Sequence, residues 1–175
     1  MSDLAEEARQ IALEVKQVSP VPYTAVNGYW VCLVKWANLF PSAGDEHEQV
    51  AALLRGIPRV GAKTIVTAKA VDDLINLEPP LETVLAHPRE ILKPMSIQKA
   101  MARLRTRRER DPKAGLMALL EIIQEVRNKR EHGFKTPAGP RDHEILSASA
   151  AILRSICDAV EEIAIAQLVR AAHGA

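Results

Sequence analysis

The sequence has only two cysteines, Cys32 and Cys157, and they lie far apart in the chain. This scarcity excludes the dense disulfide framework of a small secreted domain, and no second cysteine pair is present to form a zinc knuckle. We therefore predict that both residues are reduced, buried thiols.

Other metal-ligand patterns are also missing. The pairs His47-Glu48 and His143-Glu144 each lack the second histidine that a metalloprotease helix carries one turn away. No serine lies in the turn sequence that presents a nucleophile in hydrolases. The sequence accordingly predicts no metal site and no cofactor.

Targeting signals and an excess of one charge sign are absent as well. The first residues, Met-Ser-Asp-Leu-Ala-Glu-Glu, lack the basic start and apolar run of a signal peptide. No stretch approaches the ~18 uninterrupted apolar residues of a membrane span. The formal net charge is only +1 although 26% of residues are charged, which argues against a polyanion-coating protein. We expect a cytoplasmic protein without membrane partners, and any nucleic-acid surface must be local.

What the chain does have is apolar residues at three- and four-residue spacing. Hydrophobic residues make up 47% of 175 residues, enough for one sizeable core, so we predict a single domain over 1–175. Proline and glycine interrupt the helical pattern repeatedly, which indicates helices with short connections. The fold class predicted from this pattern is all-α.

Eight helices are predicted along the chain, with the second one open to a different interpretation. Their ranges are Asp3 to Val18, Thr24 to Phe40, Asp45 to Arg55, Gly61 to Leu77, Leu81 to Ala86, Ser96 to Arg108, Pro112 to His132 and Arg141 to Ala172. Residues 29–34 alternatively fit a strand. Five of the six aromatics lie in the second segment, where helical spacing favours a core helix over a base-stacking platform.

The helix predicted over Pro112 to His132 has a regular apolar stripe. Its members are Leu116, Leu119, Leu120, Ile123 and Val126. One further turn along this stripe lie Arg127 and Arg130. A guanidinium on the buried side of a helix needs a partner carboxylate, carbonyl or phosphate. The two arginines therefore mark this helix end as a candidate site.

The same helix end carries a histidine. Gly133 is a natural C-cap, which places His132 in the last turn, where the helix dipole favours the imidazolium form. A histidine beside two arginines can bind a phosphodiester, transfer a proton near neutral pH and stabilise a pentavalent phosphoryl transition state without a metal. The alternative is structural, because Arg and His in a last turn also complement the dipole and the terminal carbonyls.

The segment Arg127-Asn128-Lys129-Arg130-Glu131-His132-Gly133 resembles the Arg-x(4 to 6)-His motif of HEPN domains, including the polar residue directly after Arg. Its surroundings are also similar to HEPN sequences: Lys135, a Pro/Gly loop, then Arg141-Asp142-x-x-Ile145-Leu146 at the start of a long helix. Upstream, residues 36–40, Trp-Ala-Asn-Leu-Phe, resemble the end of an early helix in some HEPN branches. The resemblance covers regions 24 to 41 and 113 to 170.

This resemblance implies a HEPN-like helical bundle with two long antiparallel C-terminal helices, separated by the loop at 136–140. It also implies a homodimer in which two copies of the motif meet. Metal-independent endoribonuclease activity is frequent in such families. Some members are inactive RNA-binding modules, and others are toxins or defence effectors, which adds an antitoxin or defence protein to the expected partners.

Carried over by position, Arg127 and His132 are catalytic and Asn128 supports them. His132 assists the ribose 2′-hydroxyl in attacking the adjacent phosphate, while Arg127 holds the non-bridging oxygens. Further substrate contacts are assigned to three neighbours, Lys129, Arg130 and Lys135. The implied substrate is RNA, because DNA lacks the attacking hydroxyl.

A second basic region spans residues 99–113. It holds seven basic residues against two acidic ones, a net charge of +5. Such a segment can follow a nucleic-acid backbone, and we assign substrate binding to Arg103, Arg107 and Arg108. The alternative is a solvated helix end and loop without a ligand.

Residues 57–64, Ile-Pro-Arg-Val-Gly-Ala-Lys-Thr, permit two further interpretations. They resemble the hairpin of helix-hairpin-helix DNA-binding modules, although Arg59 replaces the first glycine. They are also a near-miss for a phosphate-binding P-loop, since Ala62 separates Gly61 from Lys63. The principal alternative to a ribonuclease is a non-catalytic helical RNA- or DNA-binding module, and a helix-hairpin-helix DNA binder is the third hypothesis.

Overall fold

The computed structural model describes residues 2–40, 44–78, 80–81, 95–131 and 140–173. Regular secondary structure in these residues is entirely helical, which confirms the all-α prediction. The helices are α1 (Ser2–Gln17), α2 (Pro22–Leu39), α3 (Glu46–Arg55), α4 (Arg59–Val66), α5 (Lys69–Ile75), α6 (Met95–Arg107), α7 (Pro112–Glu131) and α8 (Pro140–His173). The alternative of a strand over residues 29–34 is wrong, because α2 runs through them.

The starts of α2 and α3 follow from local chemistry. Pro22 occupies the first turn of α2, where its missing N–H and fixed φ cost nothing. Asp45 caps α3: its carboxylate accepts a hydrogen bond of 2.9 Å from the N–H of Glu48. The Glu48 carboxylate in turn accepts one of 3.3 Å from the N–H of Asp45, which completes a capping box.

The single helix predicted over Gly61 to Leu77 is wrong, because the chain breaks there into α4 and α5. The hydroxyl of Thr67 donates to the carbonyl of Lys63 at 2.8 Å. The N–H of Ala68 bonds the carbonyl of Ile65 at 3.2 Å, and Ala68 itself is extended, with ψ of 148°. The N–H of Thr67 still bonds the Lys63 carbonyl at 3.1 Å, so the helical pattern holds up to Thr67 and ends at Ala68. This turn ends α4 and starts α5.

Two predictions concern residues beyond the described ranges. Of the helix predicted at Leu81 to Ala86, only Leu81 is described, and it is buried. Residues 132–139 between α7 and α8 likewise lie outside the described residues. The antiparallel pairing of α7 and α8 stays a prediction.

The described chain groups into two compact units. Unit 1 comprises Met1–Pro58 and Leu153–Ala175, and unit 2 comprises Arg59–Ile152, so α8 contributes to both. The prediction of one domain over 1–175 stays a prediction. In unit 1, α1 and α3 pack against α2. The core of unit 1 includes Trp30, Leu33 and Trp36 of α2, all at most 1% exposed.

Unit 2 is centred on α7, which packs against α4 and α6. The predicted apolar stripe of α7 is buried: Leu116, Leu119 and Ile123 have no exposed surface. Full burial of such a side chain stabilises the fold by about 1.5–3 kcal/mol. The stripe therefore fixes which face of α7 points away from solvent and, with it, the orientation of the motif at its end.

Among the described residues, none of the helices combines the length and the apolar character needed to cross a membrane.

Candidate functional site

The motif predicted from the sequence lies at the C-terminal end of α7. The last stripe residue, Val126, is 4% exposed, and the next two residues, Arg127 and Asn128, are partly buried. Arg127 also has an interaction partner. A partly buried residue at position 127, continuing the buried stripe, is what the spacing of the stripe predicts.

The remaining motif residues fall into two groups. Lys129 and Arg130 belong to α7, which places them in its last turn. His132, Gly133 and Lys135 lie outside the described residues. The roles assigned to them stay predictions.

One residue to which the sequence analysis assigns no role is notable at the start of α8. Arg141, the second residue of α8, is partly buried, and its Nε and Nη2 atoms are buried without a hydrogen-bond partner among the described residues. Unsatisfied buried donors cost about 1–3 kcal/mol each, and more when charged. A guanidinium in that state is suited to an oxyanion ligand. The signal in the sequence was a cation in the first turn of a helix, where the dipole disfavours positive charge.

The three arginines assigned to the basic region 99–113 differ in their surroundings. Arg103 on α6 pairs with Glu121 on α7, and Arg108 pairs with Asp72 on α5 through an Nη1 to Oδ1 distance of 2.5 Å. Arg107 is exposed and forms no ion pair with a described residue. The structure thus supplies protein carboxylates to Arg103 and Arg108, whose substrate role stays a prediction.

The turn between α6 and α7 is held by several contacts. Asp111 accepts a hydrogen bond from the N–H of Ala114 at 3.2 Å and so caps α7. Gly115 lies close behind this turn, because a Cβ built on it would be 2.9 Å from Cα of Arg108. The Nη2 atom of Arg59 on α4 donates to the carbonyl of Arg110 at 2.9 Å. These contacts fix the turn at both of its ends.

The Arg59 contact brings together two regions that were interpreted separately, residues 57–64 and 99–113. Residues 56–58 form a short turn between α3 and α4, and Gly61 lies in the first turn of α4. The helix-hairpin-helix interpretation of this segment stays a prediction. The P-loop interpretation is excluded, since the preceding residues 50–55 belong to α3, a helix and not a strand.

Unit 2 also contains a cavity of about 620 Å³ between α5 and α8. Its lining includes three carboxylates, Asp73, Glu78 and Glu144, together with Lys69 and His143. Lys69 and Asp73 neutralise each other through an ion pair of 2.7 Å. None of the residues assigned to the site by sequence reasoning lines this cavity.

The two thiols of unit 1 are free and buried, which confirms the prediction made for them. Burial raises the pKa of Cys157 well above its ordinary value of 9.0. Its Sγ donates to the carbonyl of Tyr29 at 3.6 Å. Burial likewise raises the pKa of Cys32, with the Glu14 carboxylate adding to the effect. Both groups are therefore neutral thiols, which are poor nucleophiles and poor metal ligands.

Across the part of the chain that the structure describes, no three His, Cys, Asp or Glu side chains are grouped to hold a metal ion. The chain was also compared with known proteins. No family model, no curated protein and no solved structure matches it.

Proposed function

We propose that this chain is a metal-independent endoribonuclease of HEPN type, with Arg127 binding the scissile phosphate and His132 transferring protons. The observation that carries the proposal is the placement of Arg127, partly buried where the core stripe of α7 ends. A guanidinium at the edge of a core is shielded from water, so it interacts more strongly with phosphate than one in solvent. Asn128 follows Arg127 on α7, and the proposal assigns it a supporting role.

The chemistry uses the RNA itself as the source of the nucleophile. His132 accepts the proton of the ribose 2′-hydroxyl, whose oxygen forms a bond to the adjacent phosphorus. The bond from phosphorus to the 5′ oxygen breaks, and that oxygen receives a proton from an imidazolium. The products are a 2′,3′-cyclic phosphate and a 5′-hydroxyl. Arg127 stabilises the extra negative charge on the non-bridging oxygens.

Arg141 is a second candidate phosphate ligand in this proposal. Two of its nitrogens are buried and have no hydrogen-bond partner in the part of the chain that the structure describes, and such a pair matches the paired oxygens of a phosphate. Lys129, Arg130 and Lys135 supply further charge to neighbouring phosphates. A toxin or defence role, with an antitoxin or defence protein as partner, fits an enzyme that cuts RNA without an added cofactor.

The test is RNA cleavage by the full chain in buffer with EDTA, using a single-stranded RNA and a DNA oligomer of the same sequence. We expect the RNA to be cut, the DNA to remain intact and the products to carry cyclic phosphate ends. His132→Ala is expected to lower turnover at least ~100-fold with RNA affinity nearly unchanged. His143→Ala, which removes an exposed histidine of α8, is the matched control and retains activity.

Two outcomes overturn the proposal. Undiminished cleavage by folded His132→Ala contradicts the assigned proton transfer, and equal cutting of the DNA contradicts the role of the 2′-hydroxyl. If the wild-type chain binds RNA without cutting it under any condition, the non-catalytic RNA- or DNA-binding module becomes the better description.

A further inference from the structure

The contact between Arg59 and the α6–α7 turn assembles four exposed basic residues into one surface. Arg59 and Lys63 are one turn apart on α4, so they share a helix face. Arg107 ends α6, and Arg110 lies in the turn whose carbonyl Arg59 bonds. We define these residues, Arg59, Lys63, Arg107 and Arg110, as the basic surface.

Its charges are available for an external partner. All four residues are exposed, and neither Lys63, Arg107 nor Arg110 pairs with a carboxylate among the described residues. Arg59 donates one hydrogen bond, from Nη2, to the Arg110 carbonyl. Its other guanidinium N–H groups form no hydrogen bond with the described residues and can bind a ligand. The surface therefore presents cations that no carboxylate of the described residues neutralises.

The nearest acidic side chains do not cancel this charge. Asp111 is engaged at the N-terminus of α7 by the N–H of Ala114, where the helix dipole offsets its negative charge. Asp72 is paired with Arg108. Glu109 and Asp111 are the acidic residues within the turn, and both are exposed. Four basic residues against these two carboxylates leave the surface with a net positive charge.

The surface is also held in place before any ligand arrives. The Arg59 hydrogen bond spans 51 positions of sequence, and the Arg108–Asp72 pair ties the turn to α5. Gly115 permits the close approach of α7 to Arg108. Preorganised side-chain attachment points reduce the entropy lost on binding. A flexible basic segment in solvent lacks such contacts and would lose more conformational entropy on binding.

The chemistry of the surface selects its partner. Single-strand binders place aromatic side chains under the bases, whereas unit 2 contains a single aromatic in sequence, Phe134, and none among its described residues. A set of Arg and Lys without stacking rings fits a regular array of phosphates with the bases turned inward. From this we infer that the basic surface binds the sugar-phosphate backbone of a double-stranded nucleic acid, without reading its sequence.

This inference does not depend on the proposed cleavage, because none of the four residues belongs to the motif at 127–133. The basic surface would be a second binding site, separate from the proposed cleavage site, for a folded RNA or a DNA duplex. His132→Ala is therefore expected to bind duplex as the wild-type chain does, whatever its effect on cleavage. Failure of the proposed ribonuclease and failure of this surface are separate results.

The test measures binding of the full chain to blunt duplexes of about two helical turns, in RNA and DNA versions, across a range of salt concentrations. The triple variant Lys63→Gln, Arg107→Gln, Arg110→Gln is expected to weaken binding on the order of 100-fold at about 0.1 M salt. The slope of log affinity against log salt is expected to fall by about three. Binding of either duplex supports the inference, and the tighter one identifies the natural partner.

A matched control removes the same charge elsewhere. Lys16→Gln, Arg154→Gln, Arg170→Gln changes three exposed basic residues that form no ion pair with a described residue, and is expected to bind within about threefold of wild type. Lys63→Gln alone keeps the test decisive if the triple variant fails to fold, because it alters one exposed side chain of α4. Equal losses in the two triple variants, unchanged binding in the first, or tighter binding of single strands than of duplexes would overturn the inference.

Discussion

At the scale of single residues, Arg127 and His132 are proposed to act in one transition state, and their effects should therefore not add. Each alanine substitution alone is expected to remove most of the cleavage rate. The double variant is then expected to be hardly slower than either single variant. Single-turnover rates on one RNA measure this, with Arg154→Ala as a control for loss of an exposed arginine of α8. Multiplicative losses in the double variant would show that the two residues act independently.

Arg141 provides a test that separates stability from binding. Because two of its nitrogens are buried without a partner among the described residues, replacement by methionine removes a desolvation cost while retaining a long side chain. Arg141→Met is expected to leave the free energy of unfolding unchanged or raise it, and to weaken RNA binding severalfold. Urea denaturation and RNA titration measure the two quantities. A large loss of stability would show that the guanidinium has a structural partner.

Cys157 makes stability depend on alkaline pH. Burial raises the pKa of its thiol well above 9.0, so the folded chain keeps a proton that the unfolded chain releases above about pH 9. The free energy of unfolding is therefore expected to be constant near neutral pH and to fall as pH rises past 9, by up to about 1.4 kcal/mol per pH unit for this group. Cys157→Ala is expected to flatten that decline.

Urea denaturation at several pH values between about 7.5 and 10 measures the decline. Cys32→Ala is the control, since burial raises the pKa of Cys32 to a lesser degree and its removal should flatten the curve less. An identical pH dependence in wild type and Cys157→Ala would contradict the assignment.

At the scale of helices, the α6–α7 turn depends on Gly115, although helix propensity alone would favour alanine at this position. Alanine is favoured over glycine inside a helix by about 1 kcal/mol. A Cβ at position 115, however, would meet backbone Cα of Arg108 at 2.9 Å, so α7 would have to move away from the turn. Gly115→Ala is expected to lower the free energy of unfolding by about 1–3 kcal/mol. Gly28→Ala, whose Cβ meets only the Val18 side chain at 3.0 Å, is expected to cost less.

Chemical denaturation of both glycine variants measures the difference. Stabilisation by Gly115→Ala would show that the turn yields to the methyl group. If the turn does move, the spacing of Arg107 and Arg110 changes, and duplex binding should weaken together with stability.

Most helix bounds were predictable because their signals are local. Pro22 and the Asp45 capping box mark the starts of α2 and α3 within a few residues of sequence. The break between α4 and α5 was missed because no proline or glycine marks it: the extended residue is Ala68, and alanine is the residue type that favours helices most.

The candidate site likewise has features that the sequence predicts and features that it does not. The placement of Arg127 was predictable, since it needs only the 3.6-residue period of α7. The unsatisfied nitrogens of Arg141 and the Arg59 contact were not, because both depend on which residues pack around them in three dimensions. No local pattern relates Arg59 to a carbonyl 51 positions further along the chain.

At the scale of the whole molecule, the proposed reaction calls for two copies of the chain. The family resemblance implies that two motifs meet, and a composite site would supply two His132 residues, one as base and one as acid. We expect a homodimer at micromolar concentration, with a concentration-dependent melting temperature. Sedimentation equilibrium measures the mass directly. A strict monomer over that range, combined with full cleavage activity, would contradict the composite site.

The position of the aromatic residues decides what an optical experiment reports. Both tryptophans of the chain, Trp30 and Trp36, are buried in α2 of unit 1, and the indole N–H of Trp30 donates to the Glu46 carboxylate at 2.5 Å. Indole emission excited at long wavelength therefore follows the melting of unit 1 and is silent about Arg59–Ile152. Far-ultraviolet dichroism follows the helices of both units. The two curves recorded on one sample thus distinguish a change confined to unit 2, such as Gly115→Ala, from a loss of the entire fold.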